Sequence, residues 1–100
     1  MDIIEISKAL SNQTRLNILE WLKKPEDNFP YQLLADGFQI GVCVGNIQEK
    51  AALSQSTIST YLSQMEKANL IISTRKGKWT YYKRDEKMIE AYIDFLKIEL

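Results

Sequence analysis

The 100-residue sequence contains no histidine, one cysteine, two prolines and four glycines. The absence of histidine excludes serine–histidine and cysteine–histidine catalysis and histidine metal ligation. Because Cys43 is the only cysteine, the chain can form no internal disulfide, which is typical of a reducing compartment. The sequence also shows no signal-peptide pattern and no long uncharged apolar run. We therefore expect a soluble, cytoplasmic protein with no membrane partner.

The net charge is zero, but the charges are unevenly distributed. Residues 54–84 carry six basic side chains and one acidic one, whereas the rest of the chain carries seven basic and twelve acidic ones. Such asymmetry can mark a face for a polyanion, and chance clustering on a solvated surface is the alternative. The length fits a single domain over residues 1–100, and a domain this small is often stabilised by a partner subunit.

The spacing of apolar residues predicts a mainly α (α+β) fold. In chain order it indicates a helix, a second helix ending before Pro25, a long connection, two more helices, a β-hairpin and a last helix. Gly77 lies between the two predicted strands, where a turn is needed. A short helix is also expected inside the long connection. The predicted ranges are 2–11, around 16–22, 25–41 with the short helix at 32–35, 44–52, 54–68, 70–83 and 86–100.

The helix predicted over 54–68 has an unusual outer face. Ser54 is a good N-cap, and Ile58, Leu62 and Met65 form an inward stripe at helical spacing. With the helix before it, this segment makes a helix-turn-helix. The outer face carries short hydroxyl and amide groups, which can bond to base edges or phosphates in the major groove, and a plain solvent-facing surface is the alternative. The predicted DNA contacts are Gln55, Ser56, Ser59, Thr60 and Ser63, with Thr57 near the helix start.

The predicted hairpin has a basic tip. Arg75, Lys76 and Lys78 surround its turn, so we expect them to contact the DNA backbone and to add salt-dependent affinity. Aromatic residues follow the tip on the second strand. For Trp79 we expect a place in the core rather than base stacking, since large aromatic side chains are usually buried.

Three stretches resemble the ArsR/SmtB family of small bacterial winged-helix repressors. Ala9–Leu19 is similar to the family's second helix, Leu53–Leu62 to its recognition helix and Gly77–Tyr82 to its wing. The likeness covers about three-quarters of the chain, in the family's order and spacing. It implies a winged helix-turn-helix with a two-stranded wing, in a homodimer that binds double-stranded operator DNA and represses until an effector arrives.

Other positions depart from the family's pattern. Gly41–Ile47 aligns with a metal-sensing stretch in which arsenic and cadmium sensors carry paired cysteines, but here Cys43 stands alone and Gly45 takes the second place. Because soft metals need at least two thiolates, we predict no metal site, and no cofactor is expected. Cys43 is interpreted as a small buried apolar residue, with a redox-sensitive thiol as the alternative. Tyr61 replaces a common histidine and is expected to alter contacts to DNA or to the helix pair.

The first and last helices carry more apolar surface than one core face requires, which suggests burial against a second subunit. The resemblance implies the same pairing. A two-fold dimer would place its recognition helices about 34 Å apart and favour a palindromic operator. The predicted dimer interface consists of Ile3, Ile6, Leu10, Met88, Ile89, Tyr92, Ile93, Phe95 and Leu96.

The sequence therefore predicts a homodimeric, sequence-specific DNA-binding repressor of the ArsR type without the usual metal sites. An enzyme is not expected, because no base–nucleophile set exists. One alternative is a regulator switched by oxidation of Cys43 or by a small ligand near the 25–41 loop. A second alternative is a winged helix that serves only protein interaction and does not bind DNA.

Overall fold

The computed structural model describes residues 1–100 and contains six helices and three short strands. The order of elements is the predicted one with two additions, a short helix α3 and a short strand β1. No helix is both long and apolar enough to cross a membrane. The elements are α1 (Ile3–Leu10), α2 (Gln13–Lys23), α3 (Pro25–Asn28), β1 (Val42–Cys43), α4 (Val44–Ala51), α5 (Gln55–Lys67), β2 (Ile71–Lys76), β3 (Trp79–Arg84) and α6 (Glu86–Glu99).

Polar side chains cap the start of four helices. Asp2, Asn12, Ser54 and Asp85 each accept a hydrogen bond from the backbone N–H three residues further on. Such a bond satisfies one of the free amides in the first turn and stabilises the helix by roughly 1 kcal/mol. Ser54 therefore caps the start of α5, as predicted. This start helps to determine which residues lie on the outer face of the helix.

One hydrophobic core joins the helices to the sheet. Ile58, Leu62 and Met65 of α5 are all 0% exposed, which confirms the predicted inward stripe. Full burial of such a side chain contributes about 1.5–3 kcal/mol, so this stripe holds α5 firmly in one rotation about its axis. The rest of the core comes from Ile6, Ala9, Ile18, Leu22, Phe29, Val42, Ile47, Ala68, Leu70, Ile71 and Ile89.

The sheet is antiparallel and has the strand order β1-β3-β2. Strands β2 and β3 form the predicted hairpin, with Lys76 opposite Trp79 at its tip and Gly77 in the turn at a positive φ of 62°. On the other side of β3, Cys43 of β1 lies opposite Tyr81. The wing is therefore part of a three-stranded sheet. The predicted two-stranded wing omitted the third strand because β1 is formed by a long-range pairing.

The segment over residues 25–41 begins with α3 and then runs through turns. Residues 33–36 form a turn, so the short helix predicted over 32–35 is absent. Two residues with positive φ follow each other there, Asp36 at 52° and Gly37 at 102°. A left-handed conformation at two successive positions cannot continue a right-handed helix.

A buried amide holds this segment against the domain. Gln32 is 7% exposed, and its Nε2 donates to the backbone oxygens of Gly37 and Gly41, at 2.9 Å each. Its Oε1 accepts from the backbone N of Cys43 at 2.7 Å and from Nδ2 of Asn46 at 3.2 Å. Both donors and the acceptor of the amide are thus used, as a buried polar group requires.

The backbone of this segment meets the sheet most closely at Gly41. This residue has a φ of 118°, and a Cβ placed on it would lie 2.5 Å from the carbonyl carbon and oxygen of Tyr82. No side chain fits between the two backbones at this distance. Glycine is therefore required both for the conformation and for the space.

We expect Gly41→Ala to lower the free energy of unfolding by about 2–4 kcal/mol, because the methyl group clashes with β3 and the positive φ becomes strained. Gly45→Ala is the matched control. Gly45 lies exposed in α4 with no atom within 4 Å of an added Cβ, so this change is expected to be neutral or to stabilise the helix by up to about 1 kcal/mol. Urea unfolding followed by circular dichroism measures both variants. Equal stability of the two would contradict the close approach at Gly41.

Candidate nucleic-acid interface

The outer face of α5 is polar and open to solvent. Ser56, Ser59, Thr60 and Ser63 are exposed on the side away from the buried stripe, and Gln55, three residues before Ile58, is exposed at the first position of the helix. None of them carries a charge. Thr60 Oγ1 donates to the backbone oxygen of Ser56 at 3.0 Å, so its hydroxyl oxygen is still free to accept. This surface offers short hydrogen-bonding groups within one helix width, as a helix in the major groove requires.

Hydroxyl groups are clustered at the start of α5. Ser54 Oγ accepts from the backbone N of Thr57 at 3.2 Å, donates to Thr57 Oγ1 at 2.9 Å and lies 3.3 Å from Ser56 Oγ. Thr57 is half-buried and takes part in the cap, in contrast to the five exposed residues of the outer face. The first turn of the helix is thereby made rigid before any partner arrives.

A buried arginine ties α5 to the first two helices. Arg15 is 9% exposed, and its guanidinium donates to the backbone oxygens of Ala9, at 2.8 Å, and Lys8, at 3.1 Å, which are carbonyls at the end of α1. The guanidinium carbon also lies 5.0 Å from the ring centroid of Tyr61, whose hydroxyl accepts from Asn12 Nδ2 at 3.4 Å. Tyr61 therefore packs against Arg15 of α2 and Asn12 before it, and a contact between Tyr61 and DNA stays a prediction.

The wing presents its basic tip to solvent. Arg75, Lys76 and Lys78 are all exposed. Arg75 Nε donates to the backbone oxygen of Gly77 at 3.3 Å, and Lys78 Nζ lies 6.0 Å from the ring centroid of Trp79. None of these three cations forms an ion pair with a carboxylate. Their charges are therefore available to a polyanion.

The prediction that Trp79 lies in the core is wrong. Its side chain is 43% exposed, whereas Tyr81, two residues further along the same face of β3, is 3% exposed. Trp79 is paired with Lys76 at the end of the hairpin, beyond the part of the sheet that the helices cover. The alternation of side chains along β3 correctly places Trp79 on the same face as Tyr81. It does not show where along the strand the core ends.

Two charged residues of the 54–84 segment have structural contacts. Arg84 makes the one ion pair of the structure, with Glu86 at 3.0 Å, and also donates to the backbone oxygen of Leu19 at 3.3 Å. Glu66 accepts from Ser73 Oγ at 2.6 Å, which joins α5 to β2. One of the segment's cations is thus paired within the fold, while its one carboxylate is hydrogen-bonded but remains exposed and charged. The net positive charge of the wing and of the end of α5 comes from the other basic residues.

A half-buried tyrosine lies behind this surface. Burial, and to a smaller degree the negative charge of Glu66, raise the pKa of Tyr82 above its ordinary value. Like any tyrosine at physiological pH, Tyr82 is neutral and adds no charge to the face of the sheet, and the raised pKa extends this neutrality to more alkaline pH.

A short helix, an exposed polar helix after it and a hairpin with a basic tip define a winged helix-turn-helix domain. Residues 41–73 match the family model described as bacterial regulatory protein, arsR family. Over 100 residues, which is the whole of both chains, this chain is 50% identical to YbzH of Bacillus subtilis (strain 168), an uncharacterized HTH-type transcriptional regulator. This chain belongs to the ArsR family of transcriptional regulators, which confirms the family named from its sequence.

Two further relatives extend the comparison. Over 86 residues the chain is 30% identical to the arsenical resistance operon repressor of Bacillus subtilis (strain 168), covering 86% of this chain and 69% of that one. A solution structure of a homodimeric winged helix-turn-helix DNA-binding domain from Mycobacterium bovis aligns with a TM-score of 0.64 and 23% identity, over 97% of this chain and 77% of that one. The predicted fold class, a mainly α winged helix-turn-helix, is confirmed.

The region around Cys43 does not fit a soft-metal site. No three His, Cys, Asp or Glu side chains come together anywhere in the structure. Cys43 supplies the only thiol, and Gly45 has no side chain to add a second ligand. The expectation that Cys43 is buried is also wrong. It is half-buried, because the short strand β1 lies at the edge of the sheet beside an open cavity.

Proposed function

We propose that this chain is a homodimeric repressor that binds double-stranded operator DNA through α5 and the wing. The observation that carries the proposal is the exposed outer face of α5, which is uncharged and hydrogen-bonding and is followed in the chain by a wing with free cations. A merely solvated helix would normally carry Glu, Lys and Arg on this face.

In this proposal the two surfaces have different tasks. Gln55 can bond to adenine through two hydrogen bonds, while the hydroxyls of Ser56, Ser59, Thr60 and Ser63 reach bases or phosphates. Thr57 supports the first turn through its bond with Ser54. The wing contributes affinity that depends on salt and little on sequence, through Arg75, Lys76 and Lys78.

Exposed apolar side chains on α1 and α6 support the dimer. Ile4 is 66% exposed, Ile93 50% and Ile98 79%, so these helices present apolar surface that the single chain leaves uncovered. From the interface predicted above, Ile6 and Ile89 are removed, because at 1% and 9% exposure they already belong to the core of the single chain. The revised interface combines the three exposed isoleucines with the half-buried Ile3, Leu10, Met88, Tyr92, Phe95 and Leu96.

The direction of regulation is proposed from a relative. The protein that is 30% identical to this chain is named as the repressor of an arsenical resistance operon. A dimer bound across two half-sites covers about one turn of DNA on each side, which excludes other proteins from a promoter at that position. We therefore propose repression, with an effector other than a soft metal ion.

The double change Gln55→Ala with Ser56→Ala is expected to weaken binding to the preferred duplex at least about tenfold, because hydrogen bonds to base edges are lost. The preferred duplex is first selected from a random library by the purified protein. Gel-shift titration then gives the dissociation constants. Gln39→Ala with Ser11→Ala, two exposed positions outside the proposed surface, is the matched control. Unchanged affinity of the first variant would show that α5 does not read the DNA.

Replacing Lys76 and Lys78 with alanine is expected to weaken binding to selected and random duplexes alike. Four lysines are removed from a dimer, so the slope of log K against log salt should become shallower by roughly 3–4. Lys24→Ala with Lys97→Ala removes the same charge elsewhere and should leave the slope nearly unchanged. If the wing variant and the parent protein have the same slope, the wing does not contact the DNA backbone.

Ile93→Glu is expected to convert the dimer to a monomer at micromolar concentration, because the change places a charge in an apolar contact. Sedimentation equilibrium measures the association state. Leu33→Glu introduces the same charge at an apolar side chain that is 84% exposed on the 25–41 loop, and it should stay dimeric. A dimeric Ile93→Glu protein would show that the subunits do not pair through α6.

A further inference from the structure

A cavity of about 260 Å³ lies between the 25–41 loop and the sheet, away from the outer face of α5. Tyr31, Leu33 and Leu34 form its loop side, and Trp79 forms its sheet side. None of the side chains that line it is charged. This volume admits one small molecule of one or two fused rings, and the walls favour an apolar, aromatic body.

The walls of the cavity are apolar side chains that remain exposed to solvent. Leu33 is 84% exposed, Leu34 73% and Trp79 43%. They do not collapse onto the core because the buried amide of Gln32 fixes the backbone on either side of the turn. Exposed apolar side chains held together around a concave surface are typical of a binding site.

The loop wall is also kept neutral. The hydroxyl of Tyr31 donates to the carboxylate of Asp36, and this hydrogen bond, with smaller contributions from desolvation and the charge of Asp36, raises the pKa of the phenol. Like any tyrosine at physiological pH, Tyr31 is protonated, and its proton is used in the bond to Asp36. The lining side chains are uncharged and the carboxylate of Asp36 is close by, so the site favours an uncharged molecule over an anion.

One of the residues that line the cavity, Tyr81, has a hydroxyl without a hydrogen-bond partner in the protein. Tyr81 is 3% exposed, its hydroxyl bonds to no protein group, and it is one of the residues lining the cavity. The hydroxyl is not sealed in the interior either, since no fully buried side-chain oxygen or nitrogen lacks a partner. Because Tyr81 lines the cavity, this is where its hydroxyl can meet a ligand. A buried phenol in this position can donate to a carbonyl oxygen of a ligand.

We propose that this cavity binds a small uncharged aromatic molecule carrying a carbonyl oxygen, with its rings between Leu34 and Trp79 and its oxygen accepting from the Tyr81 hydroxyl. Trp79 begins β3 beside Lys78 at the wing tip. A bound molecule therefore contacts the wing itself. Its role as the effector rests on the proposed function, whereas the binding site does not.

The aromatic ketone 1-indanone is the probe, and indane, which lacks the carbonyl, is its matched control. Calorimetry should show saturable binding of 1-indanone with a dissociation constant of roughly 0.1–1 mM. Because Cys43 lines the cavity and is the only cysteine, 1-indanone should also slow its alkylation by iodoacetamide. Indane should bind about fivefold more weakly, because it forms no hydrogen bond.

Two variants separate the hydrogen bond from the apolar walls. Tyr81→Phe should lower the affinity for 1-indanone about fivefold and leave the affinity for indane unchanged. The two probes should then bind to this variant with the same affinity. Leu34→Lys places a charge in the wall at an exposed position where folding is not at risk, and it should abolish the binding of both probes. Ile72→Lys, on β2 and outside the cavity, should bind both probes as the parent protein does.

The site is refuted if 1-indanone gives neither saturable heat nor protection of Cys43 at about millimolar concentration, or if Leu34→Lys binds it unchanged. If Tyr81→Phe lowers the affinity for both probes equally, the proposed hydrogen bond is refuted. A gel shift with and without 1-indanone tests the effector role. Unchanged affinity for the selected duplex refutes that role, while failure to bind any duplex refutes the proposed function and leaves the calorimetric result standing.

Discussion

The complete burial of one side of α5 is the constraint on which the rest of this structure depends. Ile58, Leu62 and Met65 reach the centre of the core, so the helix cannot rotate without exposing all three. The polar side chains on the opposite side are therefore held toward solvent. A surface that must bind in a groove gains from this arrangement, because the backbone is already ordered and only side-chain freedom remains to be lost on binding.

The distribution of charged side chains favours DNA binding at the same surface, although the protein as a whole is not basic. The chain has zero net charge, and the domain places its free cations on the wing and near the end of α5. Arg84 is paired with Glu86, whereas Glu66 accepts a hydrogen bond from Ser73 and remains exposed. The local field that a polyanion meets is thus set by which side chains the fold leaves unpaired, more than by the sum of charges.

In the 25–41 loop and the start of β1, a polar side chain organises the backbone. Where the family's metal sensors carry paired cysteines, this chain has Cys43 and a glycine. The buried amide of Gln32 organises the region instead, and its bonds to the loop and to β1 keep a ring of apolar side chains open. In our proposal, an uncharged molecule binds in this region of the fold instead of a metal ion.

Much of this fold is predictable from local signals. Ser54 as a cap, the spacing of Ile58, Leu62 and Met65, and the glycine turn of the hairpin act within a few residues along the chain, and each prediction agreed with the structure. The exposed outer face of α5 follows from the same periodicity, because a surface helix that buries one face exposes the opposite face.

Features that depend on distant partners were not predictable in this way. Strand β1 exists only because β3 lies beside it, and Trp79 is exposed because the core ends before the hairpin does. The contacts of Gln32 join positions up to fourteen residues apart, and the cavity at Tyr81 needs the loop and the sheet together. The sequence by itself determined the elements and their faces, since these depend on short-range spacing and capping. Only the tertiary structure decided which faces meet and where the core stops, since these depend on packing between distant segments.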